Sequence, residues 1–146
     1  MTHNRSSRSD WSAEPCALLR EGTDACILTY GILTANALAA ADILAEKNIS
    51  CAVLKLNRLN PLPEEELLRH FKDTRCLLVA EDAYRAGAVG ERVAALLLEK
   101  RCIPERLLLV NLGASPVPAG SVAELQERYG LSARALAERV VMEVRP

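Results

Sequence analysis

The stretch Leu77 to Lys100, LLVAEDAYRAGAVGERVAALLLEK, packs an apolar run, a pair of acids, a glycine-containing turn and a long amphipathic segment into one unit. An uninterrupted apolar run has no polar face to give to water. Leu77-Leu78-Val79-Ala80 therefore predicts a strand covered on both sides, as in a parallel sheet flanked by helices. The run stops at Glu81-Asp82, whose charges are expected to stay out of the core and so mark the strand's carboxyl end. In open α/β sheets, ligands and partner surfaces meet the fold at that edge.

The same unit recurs along the chain. Cys16–Leu19 is a short apolar run bounded by Arg20-Glu21-Gly22, which predicts a strand and a turn. Ala25–Tyr30 is the next strand, and Gly31 stands where the chain must bend away from it. Thr34 is placed to cap a helix over Ala35–Lys47, in which Asn36, Asp42, Glu46 and Lys47 share one arc and leave an alanine and leucine face. Cys51–Leu56 predicts a strand closed by Asn60-Pro61-Leu62-Pro63, with Pro63 at the first position of a helix Glu64–Phe71. Leu67, Leu68 and Phe71 form that helix's inward stripe, and His70, on the more polar side with Arg69 and Lys72, is expected in solvent. Leu107–Leu112 is a further strand ended by Gly113, and Ser121-Val122-Ala123-Glu124 has capping-box spacing. Gly130 stops that helix, Ser132 caps the last, and Leu136, Val140 and Val144 make its apolar stripe. The order β, βα, βα, βα, βαα predicts an α/β fold with a mostly parallel sheet and helices on both faces.

At 146 residues the chain fits one domain, with residues 1–13 expected as a flexible tail or linker end and residues 14–146 as the folded unit. Aromatic residues make up only 3 %, so Leu, Ala, Val and Ile must build the core. A formal net charge of -1 argues against a non-specific nucleic-acid binder, which needs a basic excess to neutralise phosphates. No apolar run approaches the roughly 20 residues of a membrane helix, and the N-terminus lacks the apolar core of a signal peptide, so a cytoplasmic location is expected. Cys16, Cys26, Cys51, Cys76 and Cys102 are widely spaced and contain no C-x-x-C pair, which predicts small buried thiols in place of disulfides or a zinc site.

Catalytic patterns are missing. Gly87-Ala88-Val89-Gly90 invites a phosphate cradle, but no G-x-G-x-x-G or G-K-[ST] accompanies it, and Glu81 and Asp82 would repel phosphate beside it. No serine or cysteine sits on a G-x-S-x-G elbow, and only His3 and His70 could act as a histidine base. Glu81 and Asp82 are adjacent on an extended segment and so point apart, unlike a glycosidase pair. No catalytic, cofactor-binding or metal-binding residue is therefore expected in this chain.

Arg20-Glu21-Gly22, Thr29-Tyr30-Gly31, Asn60-Pro61-Leu62, Val79-Ala80-Glu81-Asp82, the Gly87 and Gly90 turn, and Tyr129-Gly130-Leu131-Ser132-Ala133 carry a chain-long likeness. In their order and spacing the chain resembles the C-terminal domain of the transketolase superfamily over about Ala17 to Val141, most closely that of the 1-deoxy-D-xylulose-5-phosphate synthases. It departs from those synthases at Asn60-Pro61-Leu62-Pro63, where they carry Lys-Pro-Leu-Asp, and at Glu81-Asp82, where they carry paired glutamates. Their Gly-Gly-Phe-Gly loop is Ala86-Gly87-Ala88-Val89-Gly90 here, and their aspartate in the last loop is absent from Ala114-Ser115-Pro116-Val117.

The resemblance implies a three-layer α/β/α fold whose five strands run in the order 1-3-2-4-5 with the first antiparallel. That order puts a switch-point crevice between Tyr30-Gly31 and Glu81-Asp82, and makes Tyr30, Gly31, Glu81, Asp82, Gly87 and Gly90 the candidate crevice or domain-interface contacts. In such enzymes thiamine diphosphate and magnesium are held by an N-terminal domain with a Gly-Asp-Gly motif, which this chain lacks, and the activating glutamate comes from a middle domain. The resemblance thus implies a structural and assembly domain of a homodimeric transferase of isoprenoid biosynthesis, joining pyruvate to glyceraldehyde 3-phosphate. Its partners would be the cofactor-binding and middle domains and a second copy. The alternative is a free-standing regulator that uses the same fold to bind a small molecule at Tyr30, Gly31, Glu81 and Gly87.

Overall fold

The computed structural model describes residues 14–145. The expected tail, with His3 and Trp11, lies outside the described residues. Five strands, β1 (Cys16–Arg20), β2 (Ala25–Thr29), β3 (Cys51–Leu56), β4 (Cys76–Ala80) and β5 (Arg106–Val110), form one sheet in the order β1-β3-β2-β4-β5. β1 runs antiparallel to β3 and every other pairing is parallel. The expected fold class is the observed one.

The helices are α1 (Leu33–Glu46), α2 (Glu64–Phe71), α3 (Val89–Lys100), α4 (Val122–Arg128) and α5 (Ala133–Val144). Side chains alternate across a strand, so each of β2 to β5 feeds two cores. Ala25, Ile27, Cys51, Val53, Leu78 and Leu108 meet α1 and α5 on one face. Cys26, Leu28, Leu54, Leu77 and Val79 meet α2 and α3 on the other, through Leu67, Phe71, Val89, Val93 and Leu97. All residues of β2 and β4 are buried, which explains why their sequences carry no polar position to reveal a period of two.

Local expectations fail at the starts of α1 and α2. α1 begins at Leu33 with Ile32 as its N-cap, so Thr34 lies inside the first turn and caps nothing. Its hydroxyl is buried and has no hydrogen-bond partner among the described residues. Gly31, at φ 64°, makes the bend early enough for the helix to start two residues sooner than a threonine cap would allow. Asn36 does not belong to the solvent arc: its amide donates to Gln126 Oε1 and to the Leu131 carbonyl, both at 3.0 Å, tying α1 to the α4–α5 corner. Pro63 occupies the N-cap of α2 and not its first helical position. Ser121 and Glu124 form the reciprocal capping box the spacing predicted.

Four of the cysteines, Cys16, Cys26, Cys51 and Cys76, are buried thiols, and Cys102 is exposed. Burial, with the neighbouring Cys76 thiol second, pushes Cys51 up to about 12. Burial, with Glu143 second, pushes Cys76 up to about 11. The folded state therefore holds these protons more tightly than the unfolded chain, whose thiols ionise near 9.0. The stabilisation is full below that value and is lost as pH rises through the folded values. Urea titrations should give equal stability from neutrality to about pH 8.5 and a steep decline above about pH 9.5, less steep in Cys51→Ala. An alkaline limb unaffected by that substitution would show that other groups control it.

Candidate functional site

The crossover order places the switch point between β2 and β4, whose carboxyl ends carry Tyr30 and Glu81. Thr29 Oγ donates to the Ala80 carbonyl at 2.9 Å and closes the two strand ends against each other. Glu81, expected at the surface, is only 1 % exposed. A buried carboxylate must be matched by donors, and here they are specific. Oε1 accepts from the Tyr30 hydroxyl and from the Val89 backbone N–H, each at 2.9 Å, and Oε2 accepts from the Gly90 N–H at 2.6 Å.

Those two N–H groups open α3. The residue in the N-cap position is Ala88, which offers no side-chain acceptor. Glu81 supplies the missing cap from the preceding strand end, and its negative charge lies against the positive end of the helix dipole. That function was legible only as an absence: a helix start preceded by Ala88 with no Ser, Thr, Asp or Asn beside it. Burial, then the hydrogen bond and charge of Glu81, hold the Tyr30 hydroxyl well above its ordinary range, so it stays a proton donor.

Gly90 lies inside the first turn of α3, not in the loop before it, and is buried. A Cβ there would stand 3.0 Å from Glu81 Oε2 and 3.1 Å from Leu109 Cδ2. Alanine's better helix propensity, about 1 kcal/mol, opposes that crowding, but a carboxylate held by three donors cannot retreat freely. Gly90→Ala should therefore lower stability by about 1 kcal/mol in urea unfolding; a stabilised variant would mean that the corner yields easily.

The six candidate residues thus divide. Tyr30, Glu81 and Gly90 form one packed cluster, whereas Gly31, Asp82 and Gly87 lie exposed on the rim. Gly87, at φ 72°, donates its N–H to Glu91 Oε1 at 3.1 Å, which shapes the turn between β4 and α3. Arg92, not singled out by any motif, donates to the Leu59 carbonyl and ties α3 to the loop before α2. His70, expected in solvent, is half-buried, and burial together with Arg69 lowers its pKa.

Among the described residues no three His, Cys, Asp or Glu side chains are grouped to hold a metal ion. Both Glu81 oxygens face N–H or O–H donors, an arrangement that matches a helix cap and not a cation carrying a diphosphate. Glu81 therefore does not fit as a ligand for thiamine diphosphate with magnesium.

Comparison with known proteins gives this geometry a family context. The family model described as transketolase, C-terminal domain, matches residues 15–136. The 6-deoxy-6-sulfo-D-fructose transketolase subunit SqwH of Clostridium sp. (strain MSTE9) is 35 % identical over 129 residues, which cover 88 % of this chain and 39 % of that protein. The 1-deoxy-D-xylulose-5-phosphate synthase of Syntrophotalea carbinolica is 33 % identical over 122 residues, covering 84 % of this chain and 19 % of that one. Among solved structures, a split-gene transketolase described as an inactive beta4 tetramer superposes with a TM-score of 0.76 and 34 % identity, over 90 % of this chain and 43 % of that one. A transketolase mutant from Pichia stipitis shares the fold at a TM-score of 0.66 and 17 % identity, over 92 % of this chain and 18 % of that one. The chain spans less than half the length of each of these relatives.

Proposed function

The chain belongs to the transketolase C-terminal domain family, and from that premise we propose that it is the structural and assembly domain of a cytoplasmic thiamine-diphosphate-dependent transferase. The observation that carries the reading is the family match over residues 15–136 in a chain whose most promising carboxylate is spent on its own fold. The parent reaction we propose is ketol transfer of the 1-deoxy-D-xylulose-5-phosphate synthase type, pyruvate plus glyceraldehyde 3-phosphate, or of the transketolase type. Likeness to a synthase and to a transketolase subunit supports both. Cofactor and magnesium would be held by separate cofactor-binding and middle domains, and this chain would join them and a second copy of itself. The tetrameric state named for the similar split-gene subunit supports self-association. The regulator alternative loses its main support, because Glu81 has no free oxygen turned to a ligand.

The test is reconstitution. Thiamine-diphosphate-dependent turnover is expected from a mixture of this chain with the cofactor-binding and middle domains, and from neither part alone. Upstream domains that are fully active and fully assembled without this chain would overturn the proposal.

A further inference from the structure

The two edges of the sheet are built differently. β1 is blunted: Pro15 precedes it and its register with β3 slips between Leu18 and Arg20. Such irregularity is how sheet edges avoid further pairing. β5, Arg-Leu-Leu-Leu-Val, pairs with β4 in unbroken register over all five residues, Cys76 with Arg106 through Ala80 with Val110. It contains no proline, no lysine and no bulge.

The ends of the β4–β5 ladder fix which backbone groups are used. Arg106 donates to the Arg75 carbonyl at 3.0 Å, and the Val110 carbonyl accepts from Glu81 at 2.9 Å. Since successive residues of a strand turn their N–H and C=O to opposite sides, Arg106, Leu108 and Val110 face β4. Leu107 and Leu109 therefore direct theirs out of the sheet edge, and no hydrogen bond reaches those groups among the described residues. Two exposed apolar side chains occur on the elements that precede β5. Leu98, on α3, is 68 % exposed, and Ile103, in the loop leading into β5, is 61 % exposed.

We infer that the β5 edge is where a second copy of this chain adds its own β5, making one continuous ten-stranded sheet across a two-fold axis. The register is set by the free groups. Antiparallel pairing centred on Leu108 places Leu107 opposite the second copy's Leu109, so that each of these residues exchanges two bonds with its counterpart. In that register Arg106 meets Val110 and Glu105 meets Asn111, so no like charges face each other. Arg106 and Glu105 are already engaged within their own copy, with Glu143 and Arg75. This names the surface for the self-association proposed above and rests on that part of the reading.

Sedimentation velocity and hydrogen exchange on the full chain test it together. The expected result is a dimer whose Leu107 and Leu109 amides are protected, with protection lost on dilution to the monomer. Leu107→Pro, which removes an outward N–H and no bond to β4, should weaken dimerisation at least about tenfold while the monomer keeps its circular dichroism spectrum. A chain that stays monomeric at high micromolar concentration, or a dimer whose Leu107 and Leu109 amides exchange freely, overturns the inference. A β5-paired dimer that fails to restore activity to the upstream domains would instead count against the proposed function alone. Restored activity with β5 unpaired would do the reverse.

Discussion

Replacing Gly22 by alanine is expected to cost about 3 kcal/mol or more, a large share of the roughly 5–15 kcal/mol that holds a domain folded. Gly22 lies in the turn between β1 and β2, pressed against β3. A Cβ at that position would stand 2.4 Å from Ala52 N, 2.4 Å from the Cys51 carbonyl carbon and 2.7 Å from Cys51 N. All three are main-chain atoms, so no side chain can swing aside. β3 cannot give way either, because it is hydrogen-bonded on both sides, to β1 and to β2. The only relief is to lift the turn, which would strain the bonds from Asp24 and Ala25 N–H to the Ser50 carbonyl at 2.8 and 3.1 Å. Urea unfolding of Gly22→Ala should show the loss as a lower midpoint at similar slope. A midpoint equal to that of the unaltered chain would mean that the turn is not as closely seated as the geometry says.

Glu81→Ala should have an effect of similar size, about 3–5 kcal/mol, by a different route. It leaves the N–H groups of Val89 and Gly90 without an acceptor in a place closed to water, and takes the acceptor from the half-buried Tyr30 hydroxyl. Glu81→Gln keeps the shape but turns one acceptor into a donor that must face an N–H, and should cost about 2 kcal/mol. Tyr30→Phe alone removes one donor and should cost about 1 kcal/mol. Combining Tyr30→Phe with Glu81→Ala should cost less than the sum of the two, since the same bond is lost in each. Strict additivity in that cycle would show that the Tyr30–Glu81 bond contributes nothing.

The fold was legible to the extent that it depends on unbroken apolar runs and their spacing. Leu77–Ala80 and Ala25–Thr29 announce buried strands, and the strand order came with the family resemblance, since no pattern of residues states which strand lies beside which. Helix starts were legible where the cap is local, as at Ser121 and Ser132, and illegible where it is not. Thr34 looks like a cap and is none, whereas Glu81 looks like a surface acid and is a buried cap, acting across a turn from another element. Asn36 fits a solvent arc by angle, yet the α4–α5 corner folds back over it. For Glu81 and Asn36 the deciding contact comes from another element of the chain, which periodicity cannot register.

The carboxyl edge of the sheet accordingly serves the fold before it serves any partner. Its buried acid and half-buried tyrosine close a corner, and Gly31, Asp82 and Gly87 stay exposed on its rim. The most direct measurement is turnover per assembled complex, with this chain carrying Glu81→Gln, mixed with the cofactor-binding and middle domains below the variant's melting temperature. If the corner is structural and the chemistry resides in the other domains, the melting temperature falls while turnover per complex stays at the level of the unaltered mixture. A variant that folds and assembles fully but has lost turnover would place Glu81 in the chemistry and contradict the account.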